Sequence, residues 1–229
     1  MSAPILLIVP SRGRPAAAAE LLEAVWATTK ASWTTQVDVM FGLDDDDPTL
    51  YRYPKRGVTS VGPRVGMNGT LNRLATAWAH HYEVIGFCGD DHRPRTAGWP
   101  GVILDEVRAA PHRIVYPDDL LQGENLATSV FMASSVIRAC GWMAPPTLKH
   151  LYLDNAWLEL GRALGSLKYL PDVVFEHMHP SVGKGTWDKG YLEVNSPQMF
   201  DEDRAAFEAW RDEGGLTEAV DRVLAGGPQ

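Results

Sequence analysis

Residues 84–92 read Val-Ile-Gly-Phe-Cys-Gly-Asp-Asp-His, an apolar run that stops at two adjacent carboxylates and an imidazole. A buried strand ending in Asp90, Asp91 and His92 delivers hard oxygen ligands to a sheet edge. A divalent cation holding a diphosphate would suit that place. Taken alone, the same residues also read as an acidic turn after a strand.

Other polar clusters follow apolar runs in the same way. Ser11, Arg12 and Arg14 come after Ile5–Val9, and an arginine pair there can meet phosphate bidentately. The alternative is two solvated loop arginines. Asp44–Asp47 comes after Val37–Leu43. Adjacent aspartates repel one another, so they need a partner or good solvation. Asp46 and Asp47 read as an exposed turn closed by Pro48, whereas Asp44, nearest the strand, can face a ligand and accept hydrogen bonds from a ribose or base. His177 and His179 come after Val173–Phe175. Histidines two apart in an extended segment share a side, so one or both could complete a metal shell with Asp91. Asp154 stands at a helix start. It reads either as an ordinary N-cap or as a general base held at a helix terminus.

The elements that must position these groups alternate. Ile5–Val9 is a continuous, partly β-branched run, as in strands buried on both faces of a parallel sheet. Pro15 opens a helix over about residues 15–30. Val37–Leu43 is a second strand, with a short one near Val58–Val61. Asn68 or Thr70 can cap a helix running to about Tyr82, with Leu71, Leu74, Ala75 and Trp78 on one face. Val84–Cys88 follows. Strands ending in polar groups, with helices between, predict an α/β fold with a site at the strands' carboxyl ends.

The second half is less regular. Pro100–Ala110 and Asp154–Leu164 read as helices, and Ser134 or Ser135 can cap a short helix that stops at Gly141. Ile114–Tyr116, Ser129–Ala133, Leu167–Tyr169 and Val173–Phe175 read as strands. Residues 180–197 read as a mobile loop, and Glu202–Leu224 as helix interrupted at Gly214-Gly215.

Composition narrows the function classes. The chain has 229 residues, 45% of them hydrophobic, enough for a full core. A net charge of -8 disfavours generic adhesion to nucleic acid. Arg52, Lys55, Arg56 and Arg64 still form a local basic stretch that could contact a backbone. Cys88 and Cys140 lie in apolar stretches and read as reduced core residues. The N-terminal apolar run is too short for a signal peptide or membrane span, so a soluble cytoplasmic protein without a membrane partner is expected. Neither Gly-x-Gly-x-x-Gly nor a P-loop pattern occurs. Trp99, Trp142, Trp157 and Trp187 are mostly core candidates; one or two could stack on a sugar or a flipped base.

Taken in order, these blocks resemble a GT-A fold glycosyltransferase of the family 2 type, similar to small enzymes encoded by bacteriophages. Ile5–Arg14 resembles the first strand and nucleotide-binding loop. Gly42–Asp45 resembles the aspartate-bearing end of the second strand, and Asn68–Asn72 opens the following helix. Gly86–His92 resembles the metal-binding Asp-x-Asp block, although it reads Gly-Asp-Asp-His. Phe131–Gly141 with Leu153-Asp154 resembles the acceptor-side segment, with leucine where the Glu-Asp base motif has glutamate. Leu170–His177 resembles the late strand that brings in a histidine.

The resemblance implies one GT-A-type, Rossmann-like α/β domain over residues 1–229, with a mostly parallel central sheet flanked by helices. Residues 1–92 would be the nucleotide-binding half, 93–200 the acceptor half and active-site loop, and 201–229 a C-terminal helical tail. It implies a nucleotide-sugar donor, UDP-linked, with Mn²⁺ or Mg²⁺ bridging the phosphates. Asp91 and His177 or His179 would hold the metal. Pro10, Ser11, Arg12, Arg14, Asp44, Asn68, Asp90 and Lys184 would contact the nucleotide sugar. Asp154 would be the base of an inverting displacement, and the 180–197 loop would close over the diphosphate. Phage-like relatives suggest as acceptor a hydroxymethylated DNA base or a virion-protein hydroxyl, with action in the host cytoplasm. Two rivals fit less of the chain. A nucleotidyltransferase would show a Gly-rich, basic loop after the first strand, and a noncatalytic nucleotide- or glycan-binding protein would make no use of Asp154.

Overall fold

Alternation of side chains explains the unbroken apolar run of β1 (Ile5–Ser11). Leu6 and Ile8 point into one core, and Ile5, Leu7 and Val9 into a second core on the opposite face. A strand covered on both sides has no polar face to show. The structure is a computed structural model that describes residues 3–29 and 37–226.

The remaining strands are β2 (Val37–Asp44), β3 (Val58–Gly62), β4 (Val84–Phe87), β5 (His92–Pro94), β6 (Ile114–Asp118), β7 (Val130–Ala133) and β8 (Leu167–His177). They form one 8-stranded sheet in the order β3-β2-β1-β4-β7-β6-β8-β5. β1 pairs in parallel with both β2 and β4, while β7 runs antiparallel between β4 and β6. One core packs under helices α2 (Gly66–Trp78), α4 (Ser134–Cys140) and α5 (Leu153–Ala163), joined by Phe207 of α7 (Pro197–Asp212) and Val223 of α8 (Gly215–Leu224). The other packs under α1 (Pro15–Thr28) and α3 (Trp99–Arg108). A short helix, α6 (Lys189–Val194), lies in the stretch expected to be a mobile loop. Among the described residues no helix is long and apolar enough to cross a membrane.

Several expectations are corrected. The first helix ends at Thr28; the expected end at Lys30 lies outside the described residues. α2 starts before Asn68 and Thr70, because Gly66 takes φ 76° and turns the chain into the helix early; both residues are buried inside it rather than capping it. The two strands expected at 167–169 and 173–175 are one strand. A register shift opposite Pro117/Asp118 absorbs Pro171 and Asp172, which break the local pattern without ending the strand. α7 begins at Pro197, ahead of the expected Glu202, because the Ser196 hydroxyl accepts the Met199 N–H and proline suits the first helical turn. Trp99 and Trp157 are core residues, and Cys88 and Cys140 are buried thiols.

Candidate active site

Three parallel strands end side by side, and residues at or just past their ends bond across to one another. The Ser11 hydroxyl, at the end of β1, donates to Asp90 Oδ2 at 2.6 Å and sits 3.0 Å from the Tyr53 hydroxyl. Arg12 donates to Asp44 Oδ2 at 3.0 Å and also grips Asp46. Arg14 donates to Asp90 Oδ1 at 3.1 Å and to Asp188 Oδ2 at 2.8 Å. Asp47, expected in an exposed turn, is 3% exposed. It accepts the Gly13 N–H at 2.8 Å and the Thr49 N–H at 2.8 Å. The aspartate run therefore holds the loop after β1 in place. Pro10 lies in β1 opposite Gly42, half-buried at the same edge.

β5 and β8 bring in the imidazoles. Their antiparallel register sets His92 opposite His177, and the two rings stack with centroids 4.3 Å apart. Asp91 faces both. His92 Nδ1 is 3.2 Å from Asp91 Oδ1, and His177 Nε2 is 3.6 Å from Asp91 Oδ2. One ligand atom from each of Asp91, His92 and His177 falls within 4.8 Å of the others. Neighbouring ligands of an octahedral cation with bonds near 2.1 Å lie about 3 Å apart, so the spacing fits a divalent ion. His92 Nδ1 is also buried without a hydrogen-bond partner, which fits a nitrogen kept for a metal.

The electrostatics fit the same cation. Burial and the Asp91 charge push the Asp90 carboxyl up to about 6, against the pull of Arg14 and Ser11. Burial would raise Asp91 too, but His177 and His92 outweigh it and hold Asp91 well below the usual carboxylate range. Burial lowers His92. Burial also opposes charge on His177, yet Asp119 and Asp91 overcome it and raise that imidazole to about 9. Without a metal, the two flanking carboxylates favour the charged form of His177; a divalent cation there would take the place of that proton's charge.

His179 does not join the cluster. Its Nδ1 accepts the Ser181 N–H at 3.0 Å, capping a short turn at Pro180–Val182. Among the described residues, the group that could hold a metal joins His92, rather than the expected His179, to Asp91 and His177. Asn68, expected at the nucleotide, is turned into the fold. Its amide donates to the Pro145 and Leu148 carbonyls at 2.8 and 2.7 Å, and with Asn72 it ties α2 to the 143–149 loop. Lys184 donates to Glu176 Oε1 at 2.7 Å, on the strand that carries His177.

Residues that the sequence did not single out complete the cluster. Tyr191, on α6, donates its hydroxyl to Asp91 Oδ2 at 2.7 Å and carries the Arg14 guanidinium over its ring at 4.7 Å. Asp188 caps α6 and holds Arg14. The 180–197 segment therefore already lies across the strand ends. Asp188-x-x-Tyr191 after Pro180-Ser-Val-Gly183 has the form of a capped turn, a local signal for α6.

Asp154 is the second residue of α5, not its N-cap. Tyr152 holds the cap position with φ 63°, a backbone state that surrounding contacts must enforce. Tyr152 packs on Phe200 and Phe207 of α7, and Asp203 of the same helix, 1% exposed, ties down the residues just before Tyr152. Asp203 accepts the Lys149, His150 and Leu151 N–H groups at 2.9, 2.8 and 2.6 Å. Burial pushes the Asp154 carboxyl up to about 6, although its own neighbouring backbone N–H groups and His177 favour the charge. A base near neutral pKa is what hydroxyl deprotonation calls for. Asp203→Ala would orphan three part-buried donors and is expected to cost about 2 kcal/mol. Urea unfolding checks this; a loss below about 0.5 kcal/mol would remove Asp203 from the account of how α5 is held.

No protein-family profile matches this sequence, and no curated protein matches it. Solved structures do match its fold. The mannosyltransferase PcManGT from Pyrobaculum calidifontis, in complex with GDP-Man and Mn²⁺, superimposes with a TM-score of 0.59 at 13% identity, over 98% of this chain and 80% of that one. S. aureus TarS 1-349 in complex with UDP-GlcNAc gives a TM-score of 0.56 at 13% identity, over 100% of this chain and 82% of that one. The fold is a single α/β domain of the GT-A-like kind found in nucleotide-sugar glycosyltransferases.

Proposed function

We propose that this protein is a divalent-cation-dependent glycosyltransferase that moves a sugar from a nucleotide sugar, UDP-linked, to an acceptor hydroxyl with inversion. The observation that carries the reading is the Asp91–His92–His177 cluster at the carboxyl edge of a GT-A-like sheet. Residues 1–92 would bind the nucleotide, 93–200 the acceptor side, and 201–229 would brace the 149–151 loop through Asp203.

Asp91, His177 and His92 would hold Mn²⁺ or Mg²⁺. When bound, the cation neutralises the leaving diphosphate as a Lewis acid. Arg14, 3.9 Å from Asp91, adds a fixed positive charge beside that site. Ser11, Arg12, Asp44 and Asp90 would grip the nucleotide. Asp154 would take the proton from the acceptor hydroxyl as that oxygen attacks the anomeric carbon from the face opposite the diphosphate. For the acceptor, Arg64 is already paired with Glu193 at 3.4 Å, and the chain carries a net charge of -8. A protein hydroxyl matches this surface better than a DNA base.

A donor screen tests the reading. With Mn²⁺, a uridine diphosphate sugar is expected to be hydrolysed slowly to the nucleoside diphosphate without any acceptor. No hydrolysis, together with no thermal shift from any nucleotide sugar, would contradict it.

A further inference from the structure

We propose that Asp119 is the positioning residue of the metal centre, one buried carboxylate that sets which nitrogen of both His92 and His177 faces the cation with its lone pair. This rests on the metal reading above and assigns a residue outside the ligand cluster.

Asp119 follows β6 and is 0% exposed. Its Oδ1 accepts the Leu121, Gln122 and Gly123 N–H groups at 2.9, 2.6 and 3.1 Å, which fixes the carboxylate plane. Its Oδ2 looks the other way, toward the histidines. There it accepts the Thr128 hydroxyl at 2.8 Å and lies 3.8 Å from His177 Nδ1. Thr128 Oγ1 in turn is 3.4 Å from His92 Nε2.

The proton arithmetic follows from these contacts. A hydroxyl has one proton, and that of Thr128 goes to Asp119. Toward His92 the Thr128 oxygen can only accept, so His92 Nε2 carries the ring proton. The His92 lone pair is then on Nδ1, the buried, partnerless nitrogen 3.2 Å from Asp91 Oδ1. His177 Nδ1 makes no hydrogen bond among the described residues, but it lies 3.8 Å from Asp119 Oδ2, and that charge favours a proton on Nδ1 and leaves Nε2 for the Asp91 side. Once a cation displaced the His177 Nε2 proton, two lone pairs and a carboxylate would face it. A carboxylate behind a metal-binding imidazole orients the ring and raises its basicity. Here one carboxylate does so for two rings, by its charge 3.8 Å from one and through a hydroxyl to the other.

The ordinary reading of Asp119 is a turn-former that orders residues 121–123. Asp119→Asn separates the two. Asparagine keeps an acceptor oxygen for the three N–H groups but puts an NH₂ donor where Oδ2 was, facing Thr128 and His177. Mn²⁺ binding to the full chain, without nucleotide or acceptor, is measured by electron paramagnetic resonance. D119N is expected to bind Mn²⁺ about 10- to 100-fold more weakly than wild type. Thr128→Val, which cuts only the His92 arm, should weaken binding by a smaller factor, and Thr128→Ser should restore it. Imidazole ¹⁵N spectra of the metal-free protein should place the His92 proton on Nε2 in wild type and in T128S. D119N and T128V both binding within twofold of wild type, or a His92 proton on Nδ1, would overturn the proposal while leaving the metal reading intact. No Mn²⁺ binding by wild type would overturn both.

Discussion

Asp154→Asn should lower sugar transfer by about 10³-fold while leaving donor and Mn²⁺ binding unchanged, and it should make the protein more stable at pH 7. The three effects share one cause. Asp154 is packed at the first turn of α5, and burial raises its carboxyl to about 6. Its folded-state value therefore lies above that of the unfolded chain, near 3.8. Between those values the native state binds more protons than the unfolded one, so stability falls as pH rises from about 4 through 6. Asparagine carries no charge to desolvate and should recover about 1–3 kcal/mol at neutral pH. The same raised value makes the wild-type carboxylate a better base, so the transfer rate should climb as pH rises through about 6 and then level. A variant that keeps more than a tenth of the wild-type rate would exclude Asp154 as the base. Urea unfolding at pH 4.5 and 7 supplies the stability arm.

Asp91→Asn should weaken Mn²⁺ binding by at least about 100-fold, more than loss of a supporting partner does, and bring transfer below detection. Asp91 is the group on which both imidazoles converge, and its carboxyl is held ionised by them. An amide offers one weaker oxygen and no charge. His179→Ala is the informative contrast. His179 Nδ1 is occupied by the Ser181 N–H, so its removal should leave Mn²⁺ affinity within about threefold, whereas His177→Ala should resemble Asp91→Asn. Calorimetric Mn²⁺ titration of the four proteins decides the ligand set. Equal losses for His179→Ala and His177→Ala would restore His179 to the shell.

Legibility in the sequence followed the range of the interactions involved. β1, β2 and β4 were readable because strands buried on both faces are apolar throughout, and their polar ends mark one sheet edge. Asp91 and His177 stood out as polar residues closing apolar runs. Which histidine stands opposite His177 was not readable. It depends on the register between β8 and β5, a three-residue strand of His-Arg-Pro with no periodicity of its own. His179 sits at the spacing that would serve, but the turn at Pro180 spends its nitrogen locally. The contacts of Asn68 were hidden for a similar reason. A polar residue beside Leu71, Leu74 and Ala75 on a helix can be a buried strut as well as a ligand, and only the distant 143–149 loop shows which. Tyr191, Asp188 and Asp119 act across 100, 174 and 58 residues of sequence, on Asp91, Arg14 and His177 respectively. No local pattern could pair them.

Crystals grown with Mn²⁺ and a uridine diphosphate sugar, with data collected at the manganese edge, test the central claim most directly. The account predicts an anomalous peak about 2.1–2.3 Å from the Asp91 carboxylate, His177 Nε2 and His92 Nδ1, with the diphosphate against it and the nucleotide over the ends of β1 and β2. A manganese peak away from Asp91, or a nucleotide bound elsewhere on the chain, would contradict it.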